Sequence, residues 1–290
     1  MIETPVQAQA VVHRRSGRSN VVYDSARHRM SFLEEIHETW AYRDLLVQLV
    51  ARDIKSRYKR SALGIAWTML NPLMMMVVLT LVFSSVFRQW DTHHYPVYLL
   101  SAMVLWNFFS QSTTAAMSQL LWGGALLGKI YVPKAIFPLA AIGTGLVNLV
   151  IALVPLMVIM LVVGVWPSWA MLFLPVPIVL TAMFALGLGL ALSTLAVVFS
   201  DVVDMYQIVL SAWFFLTPII YPESIVPEGE RLWMYLNPMY YFVNLFRLPI
   251  YEGTLADPMT LVVATVVSVA TLALGWVLFT GRIDDMAYRL

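Results

Sequence analysis

The chain has 290 residues, of which 60% are hydrophobic and only 12% are charged. Soluble domains carry about 25% charged residues, so this composition favours a protein buried in lipid. The formal net charge of +1 gives no reason to expect a nucleic-acid partner. The absence of cysteine excludes disulfides, thiolate metal sites and a cysteine nucleophile.

Long uncharged segments predict the membrane-spanning helices, because a spanning helix needs about 20 mostly apolar residues. The uncharged segment between Lys134 and Asp201 is long enough for two helices, and Pro167 supplies the turn between them. We therefore predict an all-α polytopic membrane protein with six spanning helices. Their predicted ranges are 64–87, 96–120, 137–164, 171–199, 205–221 and 259–280.

The distribution of basic residues predicts the orientation. Fifteen of the eighteen Lys and Arg residues fall on one side of the six predicted helices. Because such an excess marks the cytoplasmic side, both termini are predicted to be cytoplasmic. We expect a cytoplasmic extension at 1–30, an amphipathic interface helix with a basic segment at 31–61, and the six-span transmembrane domain at 62–290.

Two apolar segments are not predicted to span the membrane. Residues 32–54 have apolar side chains at helical spacing with charged residues between them, which predicts an amphipathic helix on the cytoplasmic surface. Residues 232–246 are uncharged but too short to cross, and Asn237 and Pro238 interrupt them. We predict that 222–250 forms a re-entrant helical hairpin on the outer face, where irregular backbone lies against protein or water.

Two local patterns resemble ligand sites but favour plainer interpretations. Gly123–Ile130 resembles a phosphate-binding loop, yet Ile130 stands where a Ser or Thr hydroxyl would bind magnesium, and no strand precedes the segment. We expect the end of a helix there, followed by a short cytoplasmic helix. His93 and His94 lack a third ligand, which is more typical of a loop than of a metal site. No catalytic residue and no metal site are predicted.

The centres of the predicted spans contain no ionisable residue. Ion-coupled transporters place carboxylates or histidines within the membrane, so the sequence disfavours that class. The energy source is then expected to be another subunit.

A basic cluster precedes the first predicted span and consists of Arg52, Lys55, Arg57, Lys59 and Arg60. The simpler interpretation is a topology signal that also attracts anionic lipid. The sharper hypothesis is that the cluster captures the phosphorylated head group of a lipid substrate at the inner mouth of a path. One cluster can serve both purposes.

The predicted inner loop after the second span carries Lys129, Ile130, Tyr131, Pro133 and Lys134. A plain connector needs only a few polar residues. A rigid segment of mixed polarity suits insertion into a groove of a partner protein instead.

Aromatic residues are dense in and after the fifth predicted span. An aromatic belt facing lipid head groups explains many of them, but aromatic faces also stack on sugar rings, and an apolar constriction can gate a pore. The candidates for channel or gate positions are Trp213, Phe214, Phe215, Tyr221, Tyr240, Tyr241 and Phe242. Asp201 and Asp204, at the start of the same span, are expected to cap the helix and complement its dipole.

Asp53–Leu73 closely resembles the start of the first span in ABC-2 type permeases, above all those that export bacterial polysaccharides such as O-antigen, capsule and teichoic acid. The resemblance extends in the same order and spacing from about residue 35 to the C-terminus. Ser200 departs from it, because a basic residue is common at that position in the family. The further matching segments are Val132–Lys134 with Pro138, Ser200–Asp204, Trp213–Pro222 and Leu236–Pro238.

The resemblance implies a homodimer in the cell inner membrane that works with two copies of a separate ATPase. The ATPase would bind ATP and Mg, and this chain would hold no cofactor. Gly128–Phe137 would be the coupling helix, and the first and fifth spans would line a channel to which Trp67 contributes. The substrate would resemble a glycan on undecaprenyl diphosphate. The outer gate would hinge at Pro218, Pro222, Asn237 and Pro238.

The sequence therefore predicts a permease subunit, not an enzyme, for ATP-driven export of a lipid-linked polysaccharide. An ABC-2 exporter of a small hydrophobic drug is the nearest alternative. An ion-coupled secondary transporter or channel, and a membrane scaffold that transports nothing, are the alternatives from other classes.

Overall fold

The computed structural model describes residues 39–59, 64, 66–83, 94–127 and 132–282. These residues form helices and connecting turns without a β-strand, which confirms the predicted all-α class. The α-helices are α1 (Arg43–Tyr58), α2 (Ala66–Phe83), α3 (Tyr95–Leu127), α4 (Ile136–Val163), α5 (Pro175–Val198), α6 (Val202–Leu216), α7 (Leu232–Tyr235), α8 (Pro238–Tyr251) and α9 (Pro258–Gly281). Short 3₁₀ helices cover Trp169–Phe173, Glu223–Ile225 and Glu228–Glu230.

Glycine and proline set the ends of several helices. α4 ends at Gly164, whose φ of 87° lies in the left-handed region that favours glycine. The amide of Val165 then donates to the carbonyl oxygen of Met160 at 2.8 Å and closes the last turn. α5 and α9 begin with Pro175 and Pro258, at a position where a helix needs no N–H donor. The turn predicted between the third and fourth spans therefore lies directly after α4.

α3 lies at the centre of the bundle and contacts α2, α4, α5, α6 and α8. Its fully buried side chains include those of Leu99, Leu105, Phe109 and Met117. A helix that is apolar on all sides needs apolar surroundings all round, and for much of α3 the neighbouring helices supply them.

α5 and α9 approach each other very closely. A Cβ atom at Gly275 would overlap the backbone of Gly187, and one at Gly187 would overlap the backbone of Thr271. Ser268 Oγ donates to the carbonyl oxygen of Leu180 at 2.9 Å and joins the two helices. Small residues at such crossings let membrane helices pack backbone to backbone. We call α5 and α9 the fixed pair.

α1 docks on the same bundle through its apolar side. Leu49 is buried, and Val50 fills the space that a Cβ atom at Gly143 of α4 would need. Gln119 Nε2 of α3 donates to Asp53 Oδ2 at 2.6 Å, which ties α1 to a second helix. The helix predicted at 32–54 thus corresponds in its described part to α1; its earlier residues lie outside the described ranges.

Three of the described helical segments are long and apolar enough to cross a membrane: Ile136–Val163, Trp169–Val198 and Pro258–Gly281. Two further apolar helices, Met69–Phe83 and Val202–Leu216, are shorter. The predicted membrane class is therefore supported by helix length and composition, whereas the count of six spans stays a prediction.

Two helices end well away from the ends of their predicted ranges. The range 96–120 extends to Leu127, because Gly123 and Gly124 continue α3 instead of ending it. The helix expected at 205–221 begins at Val202 and ends at Leu216, since Pro218 cannot continue it. Gly123 and Gly124, the first two glycines of the apparent phosphate loop, therefore belong to a helix.

Candidate functional site

The predicted basic cluster lies at the C-terminal end of α1. Arg52, Lys55 and Lys59 are exposed, and Arg52 Nη2 donates to Asp53 Oδ1 at 2.9 Å in an ion pair. The Arg57 side chain and all of Arg60 lie outside the described part of the chain. Capture of a head group by this cluster stays a prediction.

The predicted coupling segment is described only from Val132 onward, so Lys129, Ile130 and Tyr131 fall outside the described ranges. Pro133 is buried and Lys134 is half-buried. The segment and α1 contribute to a small apolar cluster that is separate from the main core. That cluster includes Leu49, Leu120, Val132, Ala135, Ile136 and Phe137.

The predicted channel aromatics occupy very different surroundings. Trp67 and Phe215 are more than half exposed, at 54% and 65%. Trp213 is half-buried, with its ring centroid 5.4 Å from that of Phe109. Phe242 is completely buried in the core. The structure thus separates exposed candidates from packed ones, and their roles in a channel stay predictions.

Two of the remaining aromatic candidates are held by hydrogen bonds of their hydroxyl groups, and a third is held by ring packing. Tyr221 donates to the carbonyl oxygen of Phe215 at 3.0 Å. Tyr241 donates to the carbonyl oxygen of Tyr235 at 2.8 Å. Phe214 packs its ring 5.6 Å from that of Trp106.

The predicted break at Asn237 and Pro238 joins two helices. Asn237 Oδ1 accepts from Trp213 Nε1 at 2.7 Å and from the Met239 amide at 3.0 Å, which caps α8. Its Nδ2 donates to Thr217 Oγ1 at 2.9 Å. One carboxamide thereby connects the end of α6 with the beginning of α8. The predicted hinge residues Pro218 and Pro222 lie between these helices.

Asp201 occupies the N-cap position of α6 but makes no side-chain capping hydrogen bond. Its backbone is already helical, which keeps the carboxylate away from the free amides. The capping bond expected from the sequence is therefore absent, and the dipole effect of Asp201 and Asp204 remains.

Four carboxamide side chains line a groove of about 250 Å³ between α2, α3 and α4. They belong to Asn71, Asn107, Gln111 and Asn148, and we call the site the carboxamide groove. Asn148 lies near the middle of α4, so the groove is at membrane depth if α4 spans. Carboxamides both donate and accept hydrogen bonds and carry no charge. The groove therefore offers donors and acceptors that suit hydroxyl-rich neutral groups.

Trp67 and Gly145 also line the carboxamide groove. The exposed indole of Trp67 offers an aromatic face beside the amides. A Cβ atom at Gly145 would overlap Ser112 Oγ and press on the Phe108 ring, so glycine is needed for α4 to approach α3 here.

The sequence did not lead to these four carboxamides, because only ionisable side chains were sought in the spans. Trp67, which lies beside them, was predicted. A usable signal existed. Asn107 and Gln111 are four residues apart, which places both on one face of a largely apolar helix.

A second cavity, of about 510 Å³, lies at the N-terminal end of α3, whereas Gln119 lies towards the C-terminal end of that helix. Tyr95 and Gln119 are separated by about 36 Å along the helix, at 1.5 Å per residue. We call this cavity the outer pocket. It is lined by Tyr95, Tyr98, Pro218, Pro222, Glu223, Ser224, Tyr240, Asn244, Arg247, Leu248, Tyr251, Glu252, Asp257 and Thr260. Within the described ranges, no cluster of His, Cys, Asp or Glu could hold a metal ion.

The sequence model of the ABC-2 type transporter family matches residues 44–251. The chain belongs to the ABC-2 type transporter family. As an ABC-2 membrane protein with several apolar helices, it is a multi-pass protein of the inner membrane.

Curated relatives of this ABC-2 protein are polysaccharide permeases. It is 32% identical over 254 residues to the O-antigen export system permease protein RfbA of Myxococcus xanthus, covering 87% of this chain and 97% of that relative. Identity to the permease of the same name from Klebsiella pneumoniae is 26% over 213 residues, or 73% of this chain and 82% of the relative. The polysialic acid transport protein KpsM of Escherichia coli is 23% identical over 246 residues, or 82% and 93%.

Proposed function

We propose that this chain is the permease subunit of an ABC exporter that moves a lipid-linked polysaccharide resembling O-antigen out of the cytoplasm. The observation that carries the proposal is the match to the Myxococcus xanthus permease along almost the whole of both chains. The chain itself would have no ATPase site, and a separate ATPase subunit would bind ATP and Mg.

The carboxamide groove supports a sugar substrate over a small hydrophobic drug. A glycan offers hydroxyl groups that pair with amide donors and acceptors, and a ring face that stacks on Trp67. An apolar drug offers neither, and it would desolvate the amides of Asn107 and Gln111 without giving them partners.

The topology that goes with this function has six spans and two cytoplasmic termini. α1 would lie on the cytoplasmic surface, since its apolar side packs on α4 while Lys55 and Lys59 are exposed. α7 and α8 are too short to cross and lie between α6 and α9 in the chain. They would form the re-entrant hairpin, with α8 packed against α3 and α9.

The coupling mechanism is mechanical. Two chains form a homodimer, and two ATPase subunits bind below it against Lys129–Lys134. Leu49 of α1 shares an apolar cluster with Val132 and Phe137 of the coupling segment, which supports a joint movement of both elements. ATP-driven closure of the ATPases then moves them together.

The substrate path begins at the basic cluster of α1. Arg52, Lys55 and Lys59 bind the diphosphate of an undecaprenyl-type carrier, because Lys and Arg are the usual partners of phosphate. The glycan then passes Trp67 and Phe215, which are exposed on the first and fifth proposed spans.

Complementation tests the proposal. A strain that lacks this permease should lose its surface polysaccharide, and a copy of the chain should restore it, as seen by gel electrophoresis of extracted polysaccharide. Unaltered surface polysaccharide in the deletion strain, together with new sensitivity to an apolar drug, would favour the drug-export alternative.

The purified chain provides the second measurement. Alone in lipid nanodiscs it should hydrolyse no ATP, and hydrolysis should appear when the ATPase encoded with it is added. Glycan transport that continues without ATP but stops when the proton gradient is dissipated would overturn the proposal in favour of an ion-coupled carrier.

A further inference from the structure

The outer pocket is built around a buried cation. Arg247 of α8 is 3% exposed, and its guanidinium carbon lies 3.7 Å from the centroid of the Tyr98 ring. Its Nη2 donates to the carbonyl oxygen of Ile219 at 3.2 Å, while its Nε has no hydrogen-bond partner. Among the described residues, no carboxylate forms an ion pair with it. The pocket therefore holds a fixed positive group with hydrogen-bonding capacity to spare.

Tyrosine rings form the inner wall around this arginine. Tyr98 and Tyr251 lie edge to face with centroids 5.3 Å apart, and Tyr95 stacks on Tyr98 at 6.3 Å. The hydroxyls of Tyr95 and Tyr98 donate to the carbonyl oxygens of Ile220 and Tyr221, at 2.8 and 2.9 Å. The rings are thus held in place before any ligand arrives.

Hydrogen bonds also fix the polar groups on the opposite wall of the pocket. Tyr240 donates to Glu223 Oε2 at 2.7 Å, and Tyr235 donates to Glu223 Oε1 at 3.2 Å. Burial raises the pKa of Tyr240, and its hydrogen bond to Glu223 adds to the effect, so the phenol stays a donor. The half-buried Asn244 adds a carboxamide to the same cavity.

The lining excludes several classes of ligand. A lipid tail would desolvate the exposed carboxylates of Glu252 and Asp257 without giving them partners. An inorganic anion would meet three carboxylates, Glu223, Glu252 and Asp257, against one arginine. A small hydroxyl-rich ring satisfies every group: its apolar face stacks on tyrosine, and its hydroxyls both donate and accept. The volume is within the roughly 300–1,000 Å³ of small-molecule sites.

We propose that the outer pocket binds a short neutral saccharide, with Tyr251 against the ring face and Glu223, Asn244 and Arg247 on its hydroxyls. This inference rests on the proposed function, since a polysaccharide permease meets sugars at its outer end. The pocket would hold a segment of the glycan after the segment has left the membrane.

Saturation-transfer NMR on the full-length chain in nanodiscs tests the inference directly. The probes are the methyl glycosides of glucose, galactose, mannose, rhamnose and N-acetylglucosamine, with tetraphenylphosphonium as an organic cation. At least one glycoside should receive saturation on its ring protons. Tyr251→Ala should weaken that binding about tenfold or more, as expected for a lost stacking contact of about 1.4 kcal/mol.

Two further variants keep the test decisive. Ser224→Trp places an indole at the exposed rim, where folding is not at risk, and should block binding by occupying the pocket. Trp169→Ala removes an exposed aromatic ring that does not line the pocket, and it should leave binding unchanged.

The inference is overturned if no glycoside receives saturation, if Ser224→Trp binds as well as the parent chain, or if tetraphenylphosphonium alone binds. Surface polysaccharide in the complemented strain reports separately on the proposed function. Loss of the pocket inference with export intact would therefore leave the permease assignment standing.

Discussion

The fixed pair and the helices α2 and α6 represent two opposite ways of placing an apolar helix. In the fixed pair, glycines at 187 and 275 bring two backbones into contact, and Ser268 bonds across. In α6, by contrast, Tyr206 and Leu210 are the buried side chains, and much of α2 is exposed. We call α2 and α6 the open pair.

The difference indicates which helices form a scaffold and which present surfaces. Backbone contact of the fixed pair leaves no room for a movement between its helices. The open pair contacts the bundle through few side chains and exposes large apolar ones, which must be covered by lipid or by a second chain. This supports the proposal that the first and fifth spans line a channel in a homodimer.

The largest effect is expected from breaking the fixed pair. Gly275→Val would force the side chain into the backbone of Gly187 and should destabilise the protein by about 3 kcal/mol, at the upper end for overpacking. Thermal unfolding of the detergent-purified protein, followed by size-exclusion chromatography, measures this. Gly281→Val, at the end of the same helix, has open space and should behave as the parent chain.

The next effect concerns the joint between α6 and α8. Asn237→Ala removes a helix cap and leaves Trp213 and Thr217 without their partner, for an expected loss of about 2 kcal/mol in the free energy of unfolding. Asn237→Asp keeps the acceptor and should lose less. If the two variants unfold at the same temperature as the parent chain, the joint does not stabilise the connection between α6 and α8.

A third prediction concerns the carboxamide groove. The double change Asn107→Leu and Gln111→Leu should lower export about tenfold or more, because two hydrogen bonds of about 1 kcal/mol each are lost. Stability should not fall, since leucine suits an apolar bundle. The surface polysaccharide per molecule of permease measures the effect. Gln48→Leu, on the exposed side of α1, is the control, and equal losses in both would contradict a role for the groove.

The smallest effect is expected where α1 is tied to α3. Gln119→Leu removes the hydrogen bond to Asp53 and should loosen the docking of α1 by about 1 kcal/mol. Hydrogen exchange of the α1 amides should rise several-fold, about fivefold by this estimate. Gln119→Glu should raise it further by placing like charges together. Unchanged exchange in both variants would show that apolar contacts alone hold α1.

Much of the fold could be predicted because helices leave local signals. The turn after α4 follows from Pro167, and the break at Asn237 follows from the proline beside it. The end of α3 could not be located, because Gly123 and Gly124 are tolerated within a helix whose neighbours stabilise it.

The site was harder to predict, because its residues become neighbours only in three dimensions. Asn71, Asn107 and Asn148 come from three different helices, and no spacing in the sequence links them. The same holds for Arg247 and Tyr98, which are far apart in the chain. A search for charge in the spans passed over the carboxamides, which supply polarity without ionisation.

That neutrality has an electrical consequence. A membrane potential does work only on charge, about 2.3 kcal/mol for each elementary charge moved through 100 mV. The four carboxamide side chains of the groove carry no charge. The resting voltage therefore exerts no net force on them and does not favour one of their conformations over another. The groove should bind and release a neutral sugar equally well in energised and in depolarised cells.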